Sequence, residues 1–215
     1  AISSRQVAEA SVELPNEPEV ISLDPQYVSD VLEDIKRIGK ATNSEDAAKL
    51  ITDQMQARID NVVNRLATVV NKPKVLHLEW VDPLMCGGHW VPEMVELAGG
   101  INCFGDKETG SFPLEWESII DSQPEVIVLM PCGFDVKRGL QDLPLLSNKD
   151  GWANLPAVKN NRVYVIDAGA YTSRSGPRLV DGLEILAEMI HPDLFSGMVP
   201  ESGALRIYGD LINAT

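Results

Sequence analysis

Apolar runs long enough to cross a membrane are missing from this 215-residue chain: no stretch approaches the ~20 apolar residues of a spanning helix. A basic-then-apolar leader is also missing from its start. On that ground the chain is either not exported or a processed or truncated form. Cysteine is scarce. Cys86, Cys103 and Cys132 are odd in number and far apart, and no CxxC pair occurs. That speaks against a zinc ribbon, a thioredoxin-type centre and complete internal pairing, and favours three reduced thiols. Lysine and arginine, 18 together, are outnumbered by 32 acidic residues, so the net charge is −14 and the pI is near 4.5. Phosphate neutralisation needs clustered cations, so nucleic acid is not an expected partner. A soluble enzyme, an exported binding protein and a protein docking on a basic partner remain open. No repeat of fixed period is present.

What is present is ordinary globular composition, 44% hydrophobic and 23% charged, enough for one large or two small domains with a core that needs no disulfides. Ser3–Ala10 reads as a short helix and Glu19–Leu23 as a short strand. Tyr27, Val28, Val31, Leu32, Ile35 and Ile38 keep the three-four spacing of an amphipathic helix, with Gly39 suited to its end. Ser44 is a good N-cap for the next segment. Its stripe runs Ala47, Leu50, Ile51, Met55, Ile59, Val62, Val63, Leu66, Val70. That spacing predicts about 26 residues of unbroken helix, about 40 Å: a link between two lobes, or a long bundle helix.

After Pro73 the pattern changes to β-loop-α units. Strands are predicted at 74–80, 101–104, 125–130 and 162–167, and helices at 92–100, 114–123, around 131–146 and at 176–192. The fold class is therefore α/β, a Rossmann-like three-layer sandwich with a mostly parallel sheet covered on both faces. The expected organisation is an N-terminal segment 1–24, a helical segment 25–72, an α/β lobe 73–195 and an unassigned tail 196–215.

In such sheets ligands sit beyond the carboxyl ends of the strands. Three long loops leave those ends, at 81–91, 131–138 and 168–176. A mouth lined by Met85, His89, Trp90, Phe134 and Tyr171 would grip a flat or bulky ligand by stacking and apolar contact. Gly87 and Gly88, before Pro92, either offer backbone N–H groups to an anionic ligand group or simply make the turn. Cys86, His89 and Asp82 have the residue types of thiol hydrolysis, but no family-type signature. Cys86, His89 and Cys103 match no zinc spacing. His89 could also serve as an axial ligand on a corrinoid or haem metal. Glu115 and Glu117 open a helix, where solvated carboxylates are favoured by the positive helix end.

Three stretches together carry a resemblance: "KVLHLEWVDPLMCGGHWVPEMVELAGG", "WESIIDSQPEVIVL" and "VYVIDAGAYTSRSGPRL". Over residues 1–192 the chain resembles the substrate-binding proteins of ABC-type importers for cobalamin, ferric siderophores and haem, the cobalamin-binding branch most of all. The resemblance implies a non-catalytic receptor without a cofactor of its own. Two α/β lobes would be joined by a rigid backbone helix, with the ligand in the cleft between them and little hinge motion. It places the 83–90 loop and Tyr171 at the cleft and makes Glu117 a carboxylate that docks on the membrane permease. It also implies a periplasmic or extracytoplasmic location, although the absent leader and free thiols allow a cytoplasmic one. In that family a full first lobe comes first. Only the helix at 3–10 and the strand at 19–23 would represent it here, as a remnant. The apolar face of the 26–38 helix would then lie open unless something covers it, so the chain is expected to be either a fragment or a homodimer in which a second copy covers that face. The competing readings are a thiol-dependent hydrolase using Cys86 and His89, and a truncated interaction module.

Overall fold

The computed structural model describes residues 4–12, 15, 18–105 and 110–208. Helix α1 (Ser4–Val12) occupies the predicted N-terminal position. The strand predicted at 19–23 does not form; residues 18–25 have no regular secondary structure and join no sheet. Val20 and Leu23 there are 48% and 42% exposed. An isolated extended run with no strand beside it leaves its backbone groups to water, and nothing fixes it as a strand.

Helices α2 (Val28–Ala41) and α3 (Glu45–Leu66) form a hairpin. Gly39 does not end α2. A Cβ at Gly39 would lie 2.4 Å from that of Ala48, so the glycine lets the two helices touch. α3 is shorter than predicted, 22 residues or about 33 Å. Its buried seam is Ala48, Thr52, Met55, Ile59, Val62 and Leu66, whereas Leu50 is 59% exposed and Ala47 faces solvent. Both phases fit a three-four spacing at the N-terminal end, and the small Ala48 and Thr52 win because α2 packs closely there.

The face of α2 predicted to lie open is covered within the chain except at its end, where Ile38 is 43% exposed. Val28, Val31 and Leu32 are buried in one core with Met55, Ile59 and Val62 of α3. No second copy is needed to cover it, so that face gives no ground for a homodimer.

The α/β lobe follows in the order β1 (Lys74–Val81), β2 (Leu84–Cys86), α4 (Val91–Leu97), β3 (Ile101–Asn102), β4 (Phe112–Pro113), α5 (Trp116–Ser122), β5 (Val126–Leu129), α6 (Val136–Leu140), α7 (Leu143–Ser147), α8 (Pro156–Lys159), β6 (Val163–Ile166), α9 (Ala168–Tyr171), α10 (Leu179–Ile190) and β7 (Ala204–Ile207). The sheet runs β4-β2-β1-β5-β6-β7, with β3 also on β1. The centre, β3-β1-β5-β6, is parallel, and β2, β4 and β7 add antiparallel edges. β2 lies within what reads as a loop in the sequence, and β7 lies in the unassigned tail.

Alternation sorts the strands onto two faces. Val75, Val126, Val128, Tyr164 and Ile166 face α2, α3, α4 and α10. Leu76, Leu78, Ile127, Leu129 and Val165 face the α5, α7 and α8 side, where Ile119, Leu146 and Trp152 complete the core. This is the three-layer sandwich. α3 is fastened to it by polar contacts as well. Arg58 Nη2 reaches Asp181 at 2.5 Å and Glu184 at 2.6 Å, and Arg58 Nε donates to Glu184 at 3.0 Å. The two carboxylates push the Arg58 pKa upward. Arg65 lies 4.1 Å over the Phe195 ring and donates to the Leu194 carbonyl.

Candidate functional site: a cleft at the carboxyl edge of the sheet

The chain emerging from β5 stays bonded to β1: Met130 N–H donates to Leu78 O at 2.9 Å and Cys132 N–H to Glu79 O at 3.2 Å. Those residues and the segments after β2 and α9 enclose a cleft of about 240 Å³. Glu79 contributes from β1, and Gly87, Gly88, His89, Trp90 and Val91 from the turn into α4. Met130 and Cys132 come from the end of β5, Thr172 and Ser173 from beyond α9.

Local chemistry fixes these loops to one another. Gly87 passes close over His77, and a Cβ there would lie 3.2 Å from His77 Nδ1. Trp90 Nε1–H donates to Thr172 O at 2.8 Å, tying the first loop to the third. Gly133 N–H donates to Ser173 Oγ at 3.1 Å and Gly169 N–H to Phe134 O at 3.2 Å, tying the second to the third. Gly169 permits that contact, since a Cβ would lie 3.0 Å from Gly133 O. The cleft is thus held by cross-links between all three loops.

Of the residues singled out in the sequence, Gly87, Gly88, His89 and Trp90 line this cleft; Met85, Phe134 and Tyr171 do not. Met85 sits on β2 opposite Trp80 and Pro113. Phe134 packs edge-on against Trp80, with ring centres 5.2 Å apart, and carries Arg138 at 4.2 Å. Tyr171 packs on the helical core. Glu117 is exposed in the first turn of α5. The cleft residues not singled out from sequence are Glu79, Val91, Met130, Cys132, Thr172 and Ser173. For Met130, Cys132, Thr172 and Ser173 the available signal is their position beyond β5 and β6.

His89 adopts the left-handed backbone region, φ 53°. Its Nδ1 lies 3.1 Å from Gln26 Oε1. An oxygen acceptor there favours the proton on Nδ1, and His89 Nε2 has no partner among the described residues.

Cys86 is not beside His89. It is fully buried under the cleft, with Sγ 3.7 Å from His77 and 3.4 Å from Phe104 O. Burial pushes its thiol up to about 12, so no thiolate forms at neutral pH and a nucleophile of the hydrolase type is not made here. His77 in turn is lowered to about 4 by burial, opposed by its bond to Asn102. Asn102 Nδ2 donates to Phe104 O and Gly105 O, so its oxygen is left to accept from His77 Nε2–H at 2.9 Å. Among the described residues no group of three or more His, Cys, Asp or Glu is placed to hold a bare metal ion.

The lobe is thus a parallel-centred three-layer sandwich with a cleft at its carboxyl edge and a long helix packed on one face. The chain belongs to the periplasmic binding protein family, whose model matches residues 1–170. It is 32% identical over 178 residues to YvrC of Bacillus subtilis, named an uncharacterized ABC transporter substrate-binding lipoprotein, covering 80% of this chain and 53% of that protein. It is 27% identical over 138 residues to IsdE of Staphylococcus aureus, a high-affinity heme uptake system protein, covering 62% and 47%. The crystal structure of a periplasmic solute-binding protein from Staphylococcus epidermidis superposes with a TM-score of 0.68 at 26% identity, over 80% of this chain and 66% of that one. The chain spans about half the length of the two sequence relatives. No helix among the described residues is long and apolar enough to cross a membrane.

Proposed function

We propose that this chain is the ligand-binding part of an extracytoplasmic ABC-importer receptor for a metal chelate of the cobalamin, haem or ferric-siderophore kind. The observation that carries the reading is the cross-linked cleft at the carboxyl edge of β1, β5 and the segment after β6. In it the Trp90 indole and Met130 supply apolar surface, and His89 offers an Nε2 with no partner among the described residues. The relative named for heme uptake supports the ligand class. At about 240 Å³ the cleft falls below the ~300–1,000 Å³ of a complete small-molecule site, so this wall grips one edge of a larger ligand. His89 is the residue suited to meet the chelated metal. Glu117, exposed on the α5 side of the sandwich, is suited to a cationic pocket on a permease.

Titration of the 215-residue chain with cobinamide, haem and neutral ferric chelates, followed by visible absorption and tryptophan quenching, tests the ligand class. Micromolar binding that weakens at least tenfold in Trp90→Ala supports it. No binding by any chelate below millimolar levels refutes it. For docking, Glu117→Arg should leave chelate affinity unchanged while abolishing association with the cognate permease.

A further inference from the structure

The charge of the cleft narrows the ligand further than its shape does, provided the metal-chelate reading holds. Among the described residues that line it there is one ionised group, the Glu79 carboxylate, and neither lysine nor arginine. Glu79 Oε2 accepts from the Ser111 hydroxyl, and no described cation pairs with the carboxylate. Thr172 is only 3% exposed, and its hydroxyl has no partner among the described residues. Thr172 is one of the residues that line the cleft, and its hydroxyl is not fully enclosed. Ser173 Oγ accepts from Gly133 N–H and keeps its own proton free.

Among the described residues no nearby cation lines this space. Arg138 lies over Phe134 and pairs with Asp142 at 2.7 Å, and Arg174 follows Ser173 in the chain but does not line the cleft. Around this wall the whole chain carries a net charge of −14, which opposes the approach of an anion. An unneutralised carboxylate in a recess gains from a donor or a positive charge and repels an acid group.

We infer that the ligand meets this wall as a neutral or cationic chelate whose rim carries hydrogen-bond donors, primary amides above all, and not through carboxylates or catecholates. Glu79 takes donors from that rim, while the Thr172 and Ser173 hydroxyls donate to its carbonyl oxygens.

The test is an equilibrium titration of the 215-residue chain and of Glu79→Gln with four probes. Dicyanocobinamide presents a neutral rim of amides, and a ferric trihydroxamate is a neutral chelate. Haem carries two carboxylates, and a ferric triscatecholate is a net anion. In the wild type the two neutral chelates should bind at least tenfold tighter than the two acidic ones. Glu79→Gln should narrow that gap by about three- to tenfold, because the amide still accepts through its oxygen but no longer repels an anion. The inference is overturned if haem or the catecholate binds as tightly as dicyanocobinamide. It is overturned equally if the gap is the same in Glu79→Gln. Acidic-chelate binding that disappears in Arg174→Ala would assign recognition to a cationic rim instead. A chain that binds none of the four sinks the metal-chelate reading itself, a pattern distinct from binding with the wrong charge preference.

Discussion

Acid should loosen this protein through a single buried imidazole. His77 is fully buried between Asn102, Cys86 and the Gly87 backbone and titrates at about 4, against 6.5 for an unperturbed histidine. Above pH 6.5 both folded and unfolded chains hold it neutral. Between 6.5 and about 4 the unfolded chain takes up a proton that the folded chain refuses, so stability falls as pH falls through that window and levels off below it. The depressed value corresponds to ~3 kcal/mol, present in full at neutral pH and mostly gone by about pH 4.5. That is a large share of the 5–15 kcal/mol typical of a domain.

Urea unfolding followed by far-ultraviolet circular dichroism, repeated from pH 7.5 to 4.5 on wild type and His77→Gln, isolates the effect. Carboxylates titrate equally in both proteins, so the difference between the two pH profiles belongs to His77. The wild type should lose ~3 kcal/mol more than the variant across the range, even though the variant starts less stable. Parallel profiles would refute the reasoning. So would a His77 proton resonance that titrates near pH 6 in the folded wild type.

The packing and the thiols give three more expected outcomes. Gly39→Ala places a methyl 2.4 Å from Ala48 Cβ; overpacking of ~1–3 kcal/mol outweighs the helix-propensity gain of up to ~1 kcal/mol, so urea midpoints should fall. Arg58→Met should cost ~1 kcal/mol because the partly exposed pairs to Asp181 and Glu184 are screened by water, and the loss should shrink in 1 M salt. Alkylation of the folded protein at pH 7.5 should label the exposed Cys132 fastest and leave Cys86 unmodified until urea unfolds the chain; rapid labelling of Cys86 would contradict its burial.

The parallel centre of the sheet is readable in the sequence because strands buried on both faces appear as uninterrupted apolar runs, as in Val126–Leu129 and Val163–Ile166. β2 is not readable: three residues, Leu84–Cys86, carry no period, and only their pairing with β1 and β4 makes them a strand. The phase of the α3 stripe is ambiguous because Ala47 and Ala48 satisfy the spacing equally. The choice belongs to Gly39 on the neighbouring helix. At the candidate site, the three loops that meet at the cleft are visible from their place after the strands, and Gly87 to Trp90 lie in the first of them. Phe134 and Tyr171 are the stickiest residues of the other two loops, but Trp80 and Arg138 occupy the first and the helical core the second. Glu79 is masked by the apolar strand run around it, and Thr172 is silent because a single hydroxyl has no sequence signature.

The loop cross-links bear on how this molecule comes to exist as well as on what it holds. Trp90 reaches Thr172, 82 positions further along the chain, and Gly133 reaches Ser173, 40 positions further on. The recess therefore cannot be assembled from any one segment, and it closes only after β1, β5 and β6 have paired. Long-range pairings of this kind form late and slowly. A ligand held in that recess would therefore stabilise only molecules that have completed the whole sheet. Its effect should appear as slower exchange of the most protected amides in β1 and β5, with fraying of α1 and of residues 18–25 left untouched.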